Sequence, residues 1–278
     1  MRLRSLLFVP GDRPERFAKA LASGADALIL DLEDSVAASR KGEARAAVAA
    51  FLAPSGARSA TLFVRINPLG GEMADLDLAA ARGADGIVLP KAEGAGSIAD
   101  LDRRLGADRA MILPIATETP AAVFALGSYG GVTPRLCGLT WGAEDLPAAI
   151  GATTSREADG SYTAPYQLAR SLALFGGHAA GVAAIETVFP DFRDLHGLSL
   201  YAARAARDGF TGMLAIHPTQ VAVINAAFTP PEATLAEARL IVAAFAANPD
   251  AGALQLAGRM IDAPHLKQAR RILAAAGE

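Results

Sequence analysis

Short apolar runs recur along the chain, and each is followed by a turn and a segment with the periodicity of an amphipathic helix. Eight such runs occupy residues 6–10, 27–32, 61–66, 86–90, 111–116, 136–141, 182–185 and 213–216. Their length, and the Pro or Gly that bounds several of them, are typical of strands buried on both faces of a parallel sheet. Helical segments between them include residues 14–23, 43–52, 120–128, 168–175, 194–207 and 219–228.

The number of βα units predicts a TIM (β/α)8 barrel, a fold that combines eight such units in about 250 residues. A doubly wound sheet needs the same alternation of strands and helices. The prediction of a barrel therefore depends on the count of eight.

Two segments depart from this regular alternation. The polar connection at residues 146–166 is longer than usual, as is typical of a lid over an active rim. After the eighth unit, helical patterns at residues 234–246 and 264–276 are surplus to a barrel. We therefore expect a barrel at residues 1–230 and a C-terminal helical extension at residues 231–278. The extension would cover the site or reach a neighbouring subunit.

Composition and charge narrow the functional class. The 278 residues are 52% hydrophobic and 20% charged, which suits one large domain or a domain with an appendage. The formal net charge of -3 does not indicate a nucleic-acid partner. The single cysteine, Cys137, excludes a disulfide framework within the chain. With no signal peptide and no stretch long enough to span a membrane, we expect a cytoplasmic protein without a membrane partner.

Polar side chains cluster where the predicted strands end. Barrel enzymes place their chemistry on the loops that follow the strands, so these residues are the candidates for a functional site. The N-terminal ends of the strands show no comparable set. The candidates are Asp31, Glu33, Asp34, Arg65, Asn67, Lys91, Glu93, Glu118, Glu144, Asp145, Glu186, Asp191 and His217.

Two of these acids, Glu118 and Asp145, follow the fifth and sixth strands. Parallel neighbours end on the same side of a sheet, so the two carboxylates should meet at one rim. Like charges at close range are costly unless a cation lies between them, and the pair therefore predicts an ion of the Mg²⁺ type. A structural alternative stays open. Glu118 could complement the dipole of a helix capped by Thr119 and Pro120, and Asp145 could cap the next helix.

Arg65 ends the third strand, where a guanidinium can fork to a substrate carboxylate or stabilise an oxyanion. A salt bridge to Asp31 and Glu33 on the adjacent strand is the alternative. These two acids face the same way, and we expect them to accept hydrogen bonds from metal-bound water or from Arg65, although a purely structural role is equally open. Lys91 could form a Schiff base, but the sequence favours an ion pair.

The first rim loop sets Gly11 before a helix that starts near Pro14. The helix N-terminus, together with Arg13, Arg16 and Lys19, could hold a phosphate. A solvated charged face explains the same residues, and the pattern alone favours it.

Several longer motifs carry a family resemblance that runs essentially from end to end. The chain resembles the CitE-like group of the HpcH/HpaI aldolase superfamily, which includes malyl-CoA lyases, citramalyl-CoA lyases and the β subunit of citrate lyase. The motifs are Arg-Ser-Leu-Leu-Phe-Val-Pro-Gly (4–11), Asp-Leu-Glu-Asp-Ser-Val (31–36), Val-Arg-Ile-Asn (64–67), Leu-Pro-Lys (89–91), Glu-Thr-Pro (118–120), Trp-Gly-Ala-Glu-Asp-Leu (141–146), Asp-Phe-Arg-Asp (191–194), Ile-His-Pro-Thr-Gln (216–220) and Gly-Arg-Met-Ile-Asp-Ala-Pro (258–264).

The resemblance implies a Mg²⁺-binding, usually trimeric barrel that makes or breaks a C–C bond next to a thioester. It assigns the metal to Glu118 and Asp145, and substrate binding to Arg65 and Glu118. It makes Asp262 the acid/base that reaches into the next subunit's site. It also places four residues near the CoA moiety: Phe8, Lys19, Ile185 and Glu186. Similar acyl-CoA lyases carry Asp where Glu186 stands, so the extra methylene leaves that CoA contact open.

The expected reaction is a reversible retro-Claisen cleavage of a 3-hydroxyacyl-CoA, such as malyl-CoA, β-methylmalyl-CoA or citramalyl-CoA, into an acyl-CoA and a 2-oxo acid. Two other functions fit the same residues. One is a thioesterase that releases free CoA. The other is the β subunit of a citrate lyase complex, acting on acyl groups carried by a partner protein. We expect Mg²⁺ as cofactor and a homotrimer as the assembly.

Overall fold

A computed structural model describes residues 2–53 and 58–278. The chain divides into two compact units, Leu3–Asn225 and Ala226–Glu278, with Arg2 belonging to the second. The predicted boundary at residue 230 lies close to the start of the second unit. None of the helices in the described part is long and apolar enough to cross a lipid bilayer.

Eight parallel strands form the first unit. They are β1 (Ser5–Pro10), β2 (Ala27–Asp31), β3 (Thr61–Arg65), β4 (Gly86–Leu89), β5 (Met111–Pro114), β6 (Gly138–Thr140), β7 (Ala183–Glu186) and β8 (Gly212–Ala215). Their order in the sheet is β5-β4-β3-β2-β1-β8-β7-β6. Parallel bridges from Ile112 to Leu136 and from Ile115 to Thr140 join the two outer strands and close the sheet. The predicted TIM-type barrel is thus confirmed.

Helices follow the strands in the order that the apolar pattern predicts. They are α1 (Phe17–Leu21), α2 (Lys41–Leu52), α3 (Met73–Ala80), α4 (Ala95–Leu105), α5 (Pro120–Ala125), α6 (Leu146–Ile150), α7 (Ala164–Ala180), α8 (Leu195–Asp208) and α9 (Pro218–Ala227). Single 3-10 turns occupy Pro14–Arg16, Ala38–Arg40 and Leu126–Ser128. The connection predicted at residues 146–166 is shorter than expected, because α6 occupies its start and α7 its end.

The barrel interior is filled by apolar side chains from alternating strand positions. Leu6, Ile29, Phe63, Val88 and Leu113 belong to one buried cluster contributed by β1 to β5. Packing is close enough that a glycine is needed beside the largest ring, because a Cβ at position 86 would overlap Cε1 of Phe63. This packed core holds the strands in register, and the register brings their C-terminal ends to one rim.

The second unit contains α10 (Glu232–Ala247), an antiparallel hairpin of β9 (Ala253–Leu256) and β10 (Arg259–Asp262), and α11 (Ala263–Ala276). The sequence predicted both helices but not the hairpin. Its turn places two successive residues, Ala257 and Gly258, at positive φ. Asp262 is the N-cap of α11 and forms a capping box with His265.

Candidate active site at the carboxyl ends of the strands

The end of β3 carries an arginine whose orientation is fixed on two sides. Asp31 and Arg65 are directly paired across β2 and β3. Nε and Nη2 of Arg65 donate to the two carboxylate oxygens of Asp31, both at 2.7 Å. The guanidinium also lies over the Phe8 ring of β1, 4.9 Å from its centroid. A fork to a carboxylate and a cation–π contact together define the plane of the guanidinium.

Asp31 is buried and fully engaged. Besides Arg65, it accepts hydrogen bonds from the amides of Glu33 (2.9 Å) and Ser35 (3.1 Å). Burial alone would raise the pKa of this carboxyl, but the hydrogen bonds and charge of Arg65 outweigh burial and the pKa is lowered. Asp31 is therefore ionised at neutral pH and holds Arg65 rather than a ligand.

Glu33 links Arg65 to the next strand. Its Oε2 lies 3.0 Å from Nη1 of Arg65, an ion pair without hydrogen-bond geometry. Its Oε1 accepts a hydrogen bond from Nζ of Lys91 at 2.8 Å. Burial raises the pKa of Glu33, and the two cations oppose that rise. The ion pair between Arg65 and the Asp31–Glu33 group, one of the two roles open for Arg65, is thus present.

Lys91 contacts three carboxylates from the turn after β4. Its ammonium group binds Glu33 and lies 3.8 Å from Oδ1 of Asp145, while its backbone amide donates to Oε2 of Glu118. The residue has φ of +51°, a conformation that L-residues rarely adopt. Burial lowers the pKa of Lys91, but the Glu33 hydrogen bond and the nearby carboxylates raise it overall. A lysine held in the charged form is a poor Schiff-base nucleophile, which favours the ion-pair interpretation.

Glu118 is a buried acid with few partners. It is 3% exposed, and the Lys91 amide is its only hydrogen-bond donor within the described residues. Burial, reinforced by the charges of Asp145 and Glu33, raises the pKa of Glu118 to about 8. A Cβ at position 142 would lie 2.9 Å from Cγ of Glu118, so glycine there leaves room for the carboxylate. The cap of α5 is provided by Thr119, whose Oγ1 accepts from Ala122 N.

Asp145 occupies the N-cap position of α6 but makes no side-chain capping bond. Its side chain is 37% exposed, and its charge raises the pKa of Glu118. The capping alternative therefore does not account for the Asp145 carboxylate, whereas the dipole alternative for Glu118 stays open. The effect of the Asp145 charge on Glu118 shows that the two acids, which follow β5 and β6, lie close enough to interact electrostatically.

The donor set of this pair fits Mg²⁺. Magnesium is usually bound through one or two carboxylates, and water or substrate oxygens complete its octahedron. The described residues contain no group of three or more His, Cys, Asp or Glu that could form a closed metal site. Two carboxylates, one of them a buried oxygen donor with a single hydrogen bond, leave the open coordination that magnesium enzymes use.

A cleft of about 440 Å³ opens between the ends of β1 and β8. Its lining includes Phe8, Arg16, Lys19, Ile216 and His217. Arg16 and Lys19 form no ion pair with a carboxylate among the described residues. Since Phe8 also contacts Arg65, the cleft and the ion-pair network share a side chain.

Comparison with known proteins identifies the family. The model of the HpcH/HpaI aldolase/citrate lyase family matches residues 4–218. A citrate lyase subunit beta-like protein of Mycobacterium tuberculosis is 38% identical over 98% of this chain and 95% of its own length. The L-malyl-CoA/beta-methylmalyl-CoA lyase of Cereibacter sphaeroides is 32% identical over 97% of this chain and 93% of the relative. The chain belongs to the HpcH/HpaI aldolase/citrate lyase family.

A solved structure extends this relationship to ligands. The CitE protein of Mycobacterium tuberculosis, in complex with magnesium, acetoacetate and coenzyme A, superposes with a TM-score of 0.81 and 38% identity, covering 99% of this chain and 98% of the other. The mitochondrial citramalyl-CoA lyase of Mus musculus is 32% identical over 97% of this chain and 85% of the relative. The predicted family and enzyme class are confirmed, and magnesium is present in the related structure.

The structure describes the surroundings of two residues that the family resemblance places near CoA. The side chains of Ile185 and Glu186, expected near CoA, are both fully buried. Ile185 belongs to the apolar core, and both oxygens of Glu186 accept hydrogen bonds from internal donors. The role of these two residues near CoA stays a prediction.

Asp262 lies in the second unit at the start of α11. Its carboxylate contacts Nδ1 of His265 at 2.5 Å. The hydrogen bond from His265 lowers the pKa of Asp262. The role of Asp262 in a neighbouring subunit stays a prediction.

Sequence reasoning missed a buried lysine that shapes the rim. Nζ of Lys41 donates to the carbonyls of Leu32 (2.6 Å) and Glu33 (2.7 Å) and to Oδ1 of Asn67 (2.9 Å). It therefore fixes the backbone that carries Glu33. Lys41 lies at the start of α2, where a basic residue on a helix gives no signal that it is buried.

We predict that Asp31→Asn destabilises the barrel. The substitution leaves Arg65, whose side chain is only 13% exposed, without its forked partner, and breaking a buried ion pair costs about 3–5 kcal/mol. The measurement is the urea-unfolding midpoint followed by circular dichroism. Asp100→Asn is the matched control, because Asp100 pairs with Arg104 on the surface of α4 and such pairs contribute less than about 1 kcal/mol. Equal shifts for the two variants would contradict a special role for the Asp31 fork.

Proposed function

We propose that this chain is a Mg²⁺-dependent C–C lyase that cleaves a 3-hydroxyacyl-CoA into an acyl-CoA and a 2-oxo acid, and that it also catalyses the reverse condensation. The observation that carries the proposal is the electrostatically coupled pair Glu118 and Asp145 at the same rim as the fixed guanidinium of Arg65. Membership of a lyase family, with relatives named as malyl-CoA and citramalyl-CoA lyases, supports the substrate class.

Glu118 and Asp145 would hold the metal ion. A Mg²⁺ ion bound there supplies Lewis-acid polarisation of the carboxylate and hydroxyl oxygens of the substrate. Lys91 contributes by keeping both acids in place, since its amide binds Glu118 and its ammonium group lies beside Asp145. The positive charge of Lys91 also reduces the repulsion between the two acids when no substrate is present.

Arg65 would stabilise the charge that develops during cleavage. In cleavage the hydroxyl would lose its proton to the Asp262 carboxylate, and the O–H electron pair would become the carbonyl bond of the oxo acid. The electron pair of the breaking C–C bond would move to the carbon next to the thioester and form an enolate. A guanidinium has five N–H donors, and two of these are bound to Asp31. Nη1 also lies 3.0 Å from Oε2 of Glu33, so the donors that Asp31 does not bind would be shared between Glu33 and the enolate oxygen. Their direction is fixed before the substrate binds, which favours electrostatic stabilisation.

The thioester carrier would occupy the cleft beside Phe8. Arg16 and Lys19, which pair with no carboxylate in the described part of the chain, provide cations there for the phosphates of CoA, and Phe8 and Ile216 provide apolar surface. The solved relative that contains coenzyme A supports a free CoA thioester over a protein-bound acyl group.

In cleavage Asp262 would pass the proton that it takes from the substrate hydroxyl to the enolate carbon, and in condensation it would abstract a proton from that carbon as a base. Its lowered pKa keeps it ionised at neutral pH, which suits proton abstraction in the condensation direction. We further propose a homotrimer in which Asp262 of one copy serves the site of the next.

The metal assignment is tested by substitution of the two acids. Glu118→Gln and Asp145→Asn should each weaken Mg²⁺ binding more than about 100-fold, because even the loss of groups that only orient metal ligands costs 10–100-fold. Isothermal titration calorimetry with MgCl₂ and no substrate gives the affinity. Glu144→Gln, at the exposed neighbouring acid, should change it less than about 2-fold.

Stability separates loss of a ligand from loss of the fold. Because burial already disfavours the charged form of Glu118, the neutral amide introduced by Glu118→Gln should leave the metal-free melting temperature unchanged or higher. Undiminished Mg²⁺ binding in both variants would show that the metal ion does not bind to Glu118 and Asp145.

The role of Asp262 is tested by turnover and by subunit mixing. Asp262→Asn should lower turnover by ~10²–10⁴-fold, the usual contribution of a general acid–base, with Mg²⁺ affinity unchanged. Asp250→Asn, at an exposed acid of the same unit, is the control. Co-expression of Asp262→Asn with Glu118→Gln chains should restore roughly a quarter of wild-type turnover, because one chain then supplies the metal site and the next supplies Asp262. No recovery in such mixtures would show that each chain uses its own Asp262 or none.

The reaction is tested directly with three thioesters. The Mg²⁺-loaded protein is incubated with malyl-CoA, β-methylmalyl-CoA or citramalyl-CoA, and the products are identified by mass. Cleavage gives glyoxylate or pyruvate with acetyl-CoA or propionyl-CoA. Release of free CoA and a hydroxy diacid would contradict the lyase proposal and indicate a thioesterase. No reaction with any of the three thioesters would instead indicate a subunit that needs an acyl-carrier protein.

A further inference from the structure

The end of β7 carries a buried carboxylate that the proposed reaction does not use. Glu186 is 0% exposed. Its Oε1 accepts hydrogen bonds from Nε1 of Trp141 (2.5 Å), the hydroxyl of Tyr201 (3.0 Å) and the amide of Thr187 (3.0 Å). Its Oε2 accepts from Nε of Arg170 (2.7 Å). A simple structural ion pair with Arg170 would not need the indole donor.

The indole belongs to the segment that carries a candidate metal ligand. Trp141 directly follows β6, and only three residues separate it from Asp145. On its other side the indole packs edge-on against Tyr162, with ring centroids 5.1 Å apart. Arg156 lies over the Tyr162 ring at 4.1 Å and donates to its hydroxyl. Trp141 is thus held between Glu186 and the connection that leads from α6 to α7.

The same segment is tied to the other metal ligand. The amide of Gly142 donates to Oγ1 of Thr117 (3.0 Å), and that hydroxyl donates to the Gly142 carbonyl (3.1 Å). Thr117 directly precedes Glu118. A continuous path therefore runs from the Glu186 carboxylate through the Trp141 indole and the Gly142 backbone to Glu118. Asp145 lies on the same short segment.

We propose that Glu186 is a positioning residue: through the Trp141 indole it fixes the 141–145 segment and, with it, the separation of the Glu118 and Asp145 carboxylates. This inference rests on the metal site of the proposed function. Groups that orient metal ligands typically change metal affinity by 10–100-fold when they are lost.

Two substitutions, each of which removes one hydrogen-bond donor to the same oxygen of Glu186, distinguish a positioning role from a purely structural one. Trp141→Phe removes the indole donor but keeps an aromatic ring, whereas Tyr201→Phe removes the hydroxyl donor that comes from α8. Each deletes one hydrogen bond to Oε1 of Glu186. Only Trp141 belongs to the segment that carries Asp145. Trp141→Phe also shortens a fully buried side chain and should lose more thermal stability than Tyr201→Phe, so both proteins are titrated well below their melting temperatures.

Calorimetric titration with MgCl₂ alone provides the decisive measurement. The Mg²⁺ dissociation constant of Trp141→Phe should rise about 10-fold or more, and that of Tyr201→Phe should change less than about 2-fold. Equal affinities in the two variants would overturn the positioning role while leaving the metal site intact. A wild-type protein that binds no Mg²⁺ would overturn the metal site and the positioning role together, so the two failures are distinguishable.

Fluorescence gives an independent measurement, because Trp141 is the only tryptophan of the chain. In the wild-type protein, Mg²⁺ should shift the emission of Trp141 with the same midpoint as calorimetry. In Glu186→Gln the charge on the carboxylate is lost, and the emission change per bound Mg²⁺ should be smaller. Emission that does not respond to Mg²⁺ while calorimetry records binding would contradict coupling between the indole and the metal ligands.

Discussion

The site depends on the balance of charge inside the barrel mouth. Four carboxylates lie within one network with only two cations, a formal excess of two negative charges when all are ionised. Such an excess is costly in a low-dielectric rim. Burial, reinforced by the charges of Asp145 and Glu33, raises the pKa of Glu118 to about 8, so protonation of this acid lowers the excess at neutral pH. One divalent ion balances the network. The members of the network are Asp31, Glu33, Glu118, Asp145, Arg65 and Lys91.

The excess is not spread evenly over these groups. Asp31 and Glu33 form ion pairs with Arg65, and Glu33 also forms one with Lys91. The two positive charges are therefore largely neutralised at the ends of β2, β3 and β4. The uncompensated negative charge remains at Glu118 and Asp145 on the β5–β6 side. The barrel thus separates a neutralised half that positions a guanidinium from an anionic half that fits a metal ion.

The backbone of Lys91 makes this separation possible. At φ of +51° its amide points to Glu118 while its side chain reaches Glu33. A non-glycine residue in that conformation costs of order 1 kcal/mol, and such strain persists where the surroundings determine it and often marks functional sites. Two hydrogen bonds to carboxylates on different strands determine it here.

The strand pattern was predictable because burial on both faces leaves an unbroken apolar run. The second run, at residues 27–32, corresponds closely to β2. The sixth run, at 136–141, contains only the short β6, because pairing between β5 and β6 is reduced to isolated bridges. The hairpin at Ala253–Leu256 was missed because its residues are exposed or only half-buried, so no apolar run marks it.

Which acids lie on the rim was predictable, but which partner each one takes was not. Position at a strand end follows from the βα alternation, so Glu118 and Asp145 could be placed at one rim. The contacts of Lys91 with Glu33 and Glu118 depend on its positive φ, and the hydrophobic periodicity of the sequence does not indicate that backbone conformation. The donors to Glu186 come from a strand end and from two helices that are distant in sequence, and only tertiary packing brings Trp141, Arg170 and Tyr201 together.

The fixed plane of Arg65 also explains why an arginine suits this position. Asp31 binds one edge of the guanidinium and the Phe8 ring covers one face, so the remaining N–H donors have defined directions before a substrate arrives. A lysine could satisfy the charge of Asp31, but its single ammonium group has no plane to fix and no second edge to present. Because Phe8 also lines the cleft proposed for CoA, a thioester held against that ring would bring its carbonyl towards these donors. Binding of the carrier and stabilisation of the enolate would then depend on the same aromatic side chain.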